Sequence, residues 1–279
     1  MKNKTKEGKN PSKKLIIKKI FIASALIKIP FLIYILFMIS TVPAITDIGE
    51  YNVVKGAHRG DSVEYFENTL DALKNASESP EYEFIEFDIQ YTKDKKLIVF
   101  HDTSLLRTTG RLDTVENLTY SEIQELTSFE IPIYKEVMDE IAHKKKLNIE
   151  IKSQGDIEDD QEIIDFVVQD ITNRGIKQDV AISSISEDVI IYSKEKYPDI
   201  KTGKIYWLHS STYIPIDFLT QNLYEDLKQT DADYIMLHGS NIYNATSLIE
   251  NKPDNKTIIF WYFDDQMYLV QADENDRMW

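Results

Sequence analysis

The sequence predicts an α/β fold, a TIM-type (β/α) barrel, preceded by an apolar N-terminal segment long enough to cross a membrane. Three observations carry this expectation. From Val53 onward, short apolar runs alternate with amphipathic stretches, the pattern of parallel strands joined by helices. Seven such units fall between residues 53 and 263, which suits a barrel better than an open sheet. Residues 29–45 contain no charged side chain.

Residues 1–19 read as a basic head and 20–45 as a transmembrane anchor. The first 28 residues carry nine lysines against one glutamate. A bilayer core takes about 20 apolar residues in a helix, and Ile20 to Ile45 meets this if Lys28 snorkels to the interface. Lysines stay cytoplasmic by the positive-inside rule, so a single-pass membrane protein with its body outside is expected. A cleaved signal peptide ending near Val42-Pro43-Ala44 is the alternative. The chain carries −15 overall, which leaves about −23 on the body and argues against nucleic acid as a partner. With no cysteine, any metal must be held by oxygen or imidazole.

The body, 51–279, takes its strands at Val53–Ala57, Phe84–Gln90, Leu147–Lys152, Val180–Ile185, Thr202–Trp207, Asp233–Leu237 and Thr257–Phe263. Helices are expected near Thr69–Ser77, Gln161–Thr172, Glu187–Lys196, Leu219–Lys228 and Tyr243–Glu250. Residues 103–135 lack strong periodicity and read as an insertion, a lid beside the site. After Phe263, Asp265–Gln271 reads as the start of a helix. No eighth strand is expected, which leaves strand one, bearing His58, and strand seven as open edges.

Period-two alternation places Glu86, Asp88 and Gln90 of FIEFDIQY, and Asn148, Glu150 and Lys152 of LNIEIK, on the barrel interior. Three carboxylates then converge near the C-terminal rim, where barrel enzymes keep their sites. Like charges so close repel. A hard divalent cation, Mg²⁺ or Ca²⁺, resolves this; ordinary salt bridges to Lys152 and Arg59 are the alternative. TKDKK is long enough for a hairpin only, and a turn centred on Asp94 and Lys95 sets Asp88 opposite His101. His58 ends the first strand beside the second. Two imidazoles at an acidic site suit general acid–base phosphoryl chemistry, with Arg59 and Lys152 neutralising phosphate oxygens. His143 in HKKK reads as solvated. His209 and His238 end later strands on the same rim, within reach of substrate.

AHRGDSVEYFENT, IEFDIQYTKDKKLIVFHDTSLLRTTG and LNIEIK together resemble the glycerophosphodiester phosphodiesterase family, and FWYFDD resembles its tryptophan-bearing seventh strand. The resemblance implies metal binding by Glu86, Asp88 and Glu150, with Glu67 close by. It implies an acid–base pair of His58 and His101, phosphate contacts from Arg59 and Lys152, and a glycerol or alcohol pocket lined by Trp261. The activity implied is metal-dependent hydrolysis of glycerophosphodiesters, small or polymeric, to glycerol 3-phosphate and an alcohol. Two other outcomes stay open: an incomplete barrel that binds polyol phosphates or wall polymer without turnover, and a phospholipase-like lyase yielding a cyclic phosphate.

Overall fold

The structure, a computed structural model, describes residues 11–40, 51–207, 217–262, 266–272 and 274–279. His209, the first ten residues of the basic head, Val42-Pro43-Ala44 and Phe263 to Asp265 lie outside the described residues. The chain divides into two units, Met1–Thr46 and Asp47–Trp279. The first contains α1 (Pro11–Ser40). Its stretch Ile17–Met38 is apolar and 22 residues long, about 33 Å at 1.5 Å per residue. That length suits either a membrane span or a signal sequence.

The second unit is a closed eight-stranded barrel. β1 (Asn52–His58), β2 (Phe84–Tyr91), β4 (Lys146–Ile151), β5 (Val180–Ser184), β6 (Lys201–Tyr206), β7 (Tyr234–His238) and β8 (Thr257–Trp261) are parallel. Between them lie α2 (Leu70–Glu78), α5 (Tyr134–Ile141), α6 (Ile157–Asn173), α7 (Glu187–Lys196), α8 (Asp217–Thr230) and α9 (Ala245–Glu250). Ile85, Phe87 and Ile89 of β2 pack outward against Leu73, Val137 and Met138 of the helices. Phe84, Glu86, Asp88 and Gln90 turn inward, all buried, as strand alternation requires.

Two expectations are corrected. The barrel does not lack its eighth strand: β9 (Gln266–Gln271) pairs antiparallel with both β8 and β1. The segment read as a helix start is therefore a hairpin partner, with Met267 and Leu269 alternating into the interior. An antiparallel strand needs only a turn, whereas a parallel one needs a crossover, so six residues suffice and His58 is not on an edge. The β2–β3 hairpin is also shifted by one residue. β3 (Leu97–Val99) pairs Ile89 with Val99, and the Phe100 N–H donates to Asp88 O, so Asp88 faces Phe100 rather than His101. Thr92 and Lys96 close a three-residue loop whose Lys95 has φ +56°, the left-handed residue such loops use.

The insertion 103–135 packs Leu105, Val115, Ile123 and Ile131 against Ile98 and Phe100 of the β3 segment in a small core of their own. It contains α3 (Leu106–Thr109) and α4 (Tyr120–Leu126), the latter started by a Thr119–Glu122 capping box. At the opposite, N-terminal end of the barrel, β9 delivers the chain's last residues to the floor. There Trp279 packs edge-on against Phe84 and Tyr234.

Candidate active site

His58 closes β1, and the next two residues turn sharply: Arg59 has φ +64° and Gly60 φ +79°. A Cβ on Gly60 would sit 2.7 Å from the Ala72 backbone carbon, so only glycine fits this approach of the turn to α2. The turn aims the Arg59 N–H at Glu86 Oε2, 2.8 Å away, with His58 Nε2 at 3.8 Å from the same oxygen. Asn68, also left-handed at φ +59°, donates from Nδ2 to Asp88 Oδ2 at 2.7 Å and accepts from the Asp88 N–H at 3.2 Å. Thr69 then caps α2. Glu67-Asn68-Thr69 thus ties a helix start to the second strand.

Oxygens of Glu86, Asp88 and Glu150 lie within 4.8 Å of one another, all buried. Lys152 Nζ stands 3.0 Å from Asp88 Oδ1 and 2.5 Å from Glu150 Oε1, while Arg59 Nε is 3.7 Å from Asp88 Oδ2. The salt-bridge alternative is thus partly realised, but two cations do not neutralise three carboxylates. Burial, reinforced by the charges of Asp88 and Glu150, pushes the Glu86 carboxyl well above the usual range. Burial acts on Asp88 in the same direction, but Lys152, His101 and Arg59 outweigh it and hold that carboxyl low. Burial raises Glu150 too, partly offset by Lys152. Glu86 Oε1 is buried and makes no hydrogen bond among the described residues. An all-oxygen donor set with an orphaned carboxylate oxygen fits a hard divalent cation.

His101 lies just past β3, its Nδ1 2.6 Å from Asp102 Oδ1. Arg107 Nε donates to Asp102 Oδ2 at 2.8 Å, and the rest of its guanidinium grips Glu67 at 2.5 and 3.0 Å. Glu67 also binds Arg59 at 3.0 Å. Its carboxylate therefore joins two arginines and stands outside the carboxylate triad. Burial would raise Asp102, but His101 and Arg107 bring it down to about 2. Arg107 is not among the residues predicted. It comes from the insertion, and nothing in LLRTTG marks it as facing the site.

His58, Arg59, Glu67, Glu86, His101, Glu150, Lys152 and Trp261 line one cavity of about 1190 Å³, with Thr103, Ser104 and Arg107 of the insertion on its rim. Trp261 stands 5.9 Å from the His58 ring and 4.8 Å from His238. His238 is behind it, bonded through Nδ1 to Ser240 Oγ, and does not line the cavity. The mouth is divided: β1, β2 and β4, the residues that follow β1, β3 and β4, and Arg107 of the insertion supply the charged groups, whereas Ile185, Ile205, Trp207, Trp261 and Met267 form an apolar half.

Residues 58–277 match the glycerophosphoryl diester phosphodiesterase family. The chain belongs to this family. A glycerophosphodiester phosphodiesterase of Caldanaerobacter subterraneus is 35% identical over 161 residues, covering 54% of this chain and 65% of that relative. The chain thus spans just under two thirds of that relative's length. The crystal structure of a glycerophosphodiester phosphodiesterase from Thermotoga maritima superposes with a TM-score of 0.56 and 28% identity, over 75% of this chain and 85% of that one. An Oleispira antarctica phosphodiesterase, solved with the product sn-glycerol-3-phosphate, shares the barrel fold at a TM-score of 0.61 and 23% identity, over 75% and 84%.

Proposed function

We propose that this chain hydrolyses glycerophosphodiesters to glycerol 3-phosphate and an alcohol, with Mg²⁺ or Ca²⁺ held by Glu86, Asp88 and Glu150. The observation that carries the reading is that Glu86 and Glu150 line one cavity with His58 and His101, with Asp88 buried beside them to complete the carboxylate triad. When bound, the cation supplies charge stabilisation of the phosphate and acidifies an attacking hydroxyl. Arg59 and Lys152 orient the phosphate oxygens as fixed charged donors. His58 and His101 divide the proton traffic, one accepting from the attacking oxygen and the other donating to the leaving alkoxide. With Asp102 accepting at Nδ1 of His101, the Nε2 of that ring is left to exchange the proton. Trp261 walls the alcohol pocket. Full-length protein in detergent with either cation should release glycerol 3-phosphate from glycerophosphocholine. A folded protein that releases none with either cation refutes the reading, and a cyclic phosphate as final product would identify a lyase instead.

The apolar half of the mouth favours, within this class, diesters that carry one acyl chain. Ile185 and Trp207 there are about half exposed, at 49% and 48%, and the cavity exceeds the usual volume for small ligands. A kcat/KM on lysophosphatidylcholine no higher than on glycerophosphocholine would remove this preference. The N-terminal helix, in this reading, anchors the catalytic domain outside the cell membrane. The cysteine-free sequence makes Lys93→Cys a clean probe. Labelling of intact cells by an impermeant maleimide is expected, and labelling only after lysis refutes the orientation.

A further inference from the structure

The β2–β3 ladder ends before His101. Its last bond is Phe100 N–H to Asp88 O, and His101 occupies a bend beyond it. Its ring is held by Asp102, and Asp102 by Arg107. The backbone that carries the ring is held from below. Gln90, fully buried on the inner face of β2, donates from Nε2 to both Phe100 O at 2.7 Å and Asp102 O at 2.9 Å. One side-chain amide thus bonds the carbonyls on either side of His101. Two carbonyl acceptors fix which end of the amide carries nitrogen. Its Oε1 accepts from Gln154 Nε2 at 3.0 Å, and that nitrogen also donates to Tyr91 O at 2.9 Å. Gln154 lies two residues past Lys152, on the loop between β4 and α6.

We infer that Gln90, set by Gln154, is the positioning residue that fixes His101 over the carboxylate triad and couples its loop to the Lys152 loop. The inference rests on the acid–base role proposed for His101. Neither glutamine touches the reacting atoms. Their effect is on the geometry of proton transfer, which loses rate steeply with small misplacement. The triad needs no such help, because Glu86, Asp88 and Glu150 stand on strands paired through β2 and β4.

The test is full-length Gln90→Met, which keeps length and volume but removes both donors. The expected result is a kcat lowered roughly 100-fold with KM within about threefold and unchanged cation affinity by calorimetry. His101 ring signals, assigned by loss in His101→Gln, should broaden or split in the variant. Gln154→Ala, at a half-buried position, should lower kcat roughly three- to tenfold at constant KM. Wild-type kcat in Gln90→Met, or a parallel loss of cation affinity and KM, overturns the inference. If Gln90→Met does not fold, Gln154→Ala decides alone: wild-type kcat overturns it and the selective kcat loss supports it. Failure of the catalytic reading would show already in the wild type. The His101 signals in the glutamine variants then decide on positioning alone, unchanged spectra overturning it.

Discussion

The two ends of the barrel are built to opposite rules. At the floor the polar groups around the aromatic cluster are paired among the described residues. Trp279 Nε1 donates to Asp179 O at 3.1 Å, Tyr234 Oη to Arg277 O at 2.9 Å, and Lys146 Nζ reaches Trp279 O. Buried Asp276 accepts from Thr257 Oγ1 and the Ala272 N–H. Gly56 gives the Phe84 ring its room, for a Cβ there would lie 2.3 Å from it. At the mouth, Glu86 Oε1, Asn148 Oδ1 and Ser183 Oγ are buried without hydrogen bonds among the described residues, and three carboxylates crowd together. Unsatisfied buried polar groups and close like charges cost stability. The floor therefore holds the fold, and the mouth is left strained toward a ligand.

The sharpest way to break that division is to exchange the effects. His58→Ala and His101→Ala should each lower kcat by roughly 10³-fold or more while thermal unfolding moves little; a collapse of the fold instead would make the mouth structural. Trp279→Ala should do the reverse, costing about 3–5 kcal/mol of stability with kcat near wild type when assayed well below its melting temperature. A Trp279→Ala protein that melts normally would mean the floor plug is incidental.

At the mouth end of β7 stands His238, paired with Trp261 yet not lining the cavity. Burial lowers its imidazole to about 4 from an ordinary 6.5. The unfolded chain thus binds a proton on this residue between those values while the folded chain does not. Stability from this group is complete above pH 6.5 and lost as pH falls toward 4, by up to about 3 kcal/mol. Denaturant midpoints of wild type and His238→Gln at pH 7 and pH 4.5 measure it. The variant should lose less stability between those pH values, and equal losses would place the wild-type dependence on other groups.

What could be read in advance follows from how local each feature is. The inward carboxylates of FIEFDIQY and LNIEIK were legible because strand alternation is a property of the segment alone. The register at His101 was one residue off, because a single left-handed residue, Lys95, lengthens the turn from two to three. β9 escaped because QMYLVQ is too short for a clear pattern and pairs antiparallel with both neighbours. Arg107, Asn68 and Gln90 acquire partners 40, 20 and 12 residues away in sequence. Their contacts exist only once the barrel and insertion have assembled, so residue type and spacing carried no sign of them.

The smallest effect expected is also the one that tests the strain at the mouth most directly. Glu86 is held well above the usual carboxylate range by burial and by the charges of Asp88 and Glu150. In the metal-free protein the folded state therefore keeps a proton that the unfolded chain has released, and stability falls as pH rises above about 4.5. A divalent cation held by the three carboxylates would replace that proton. At 100 times its Kd it should add about 2.7 kcal/mol to the unfolding free energy, read as a rise in Tm with Mg²⁺ or Ca²⁺. Glu86→Gln mimics the protonated group, so its metal-free Tm at pH 7 should equal or exceed that of the wild type, and the cation-dependent rise should vanish. A wild-type Tm indifferent to both cations, or a Glu86→Gln protein that still responds, would show that Lys152 and Arg59 already satisfy the triad and that the mouth stores no strain for a metal to relieve.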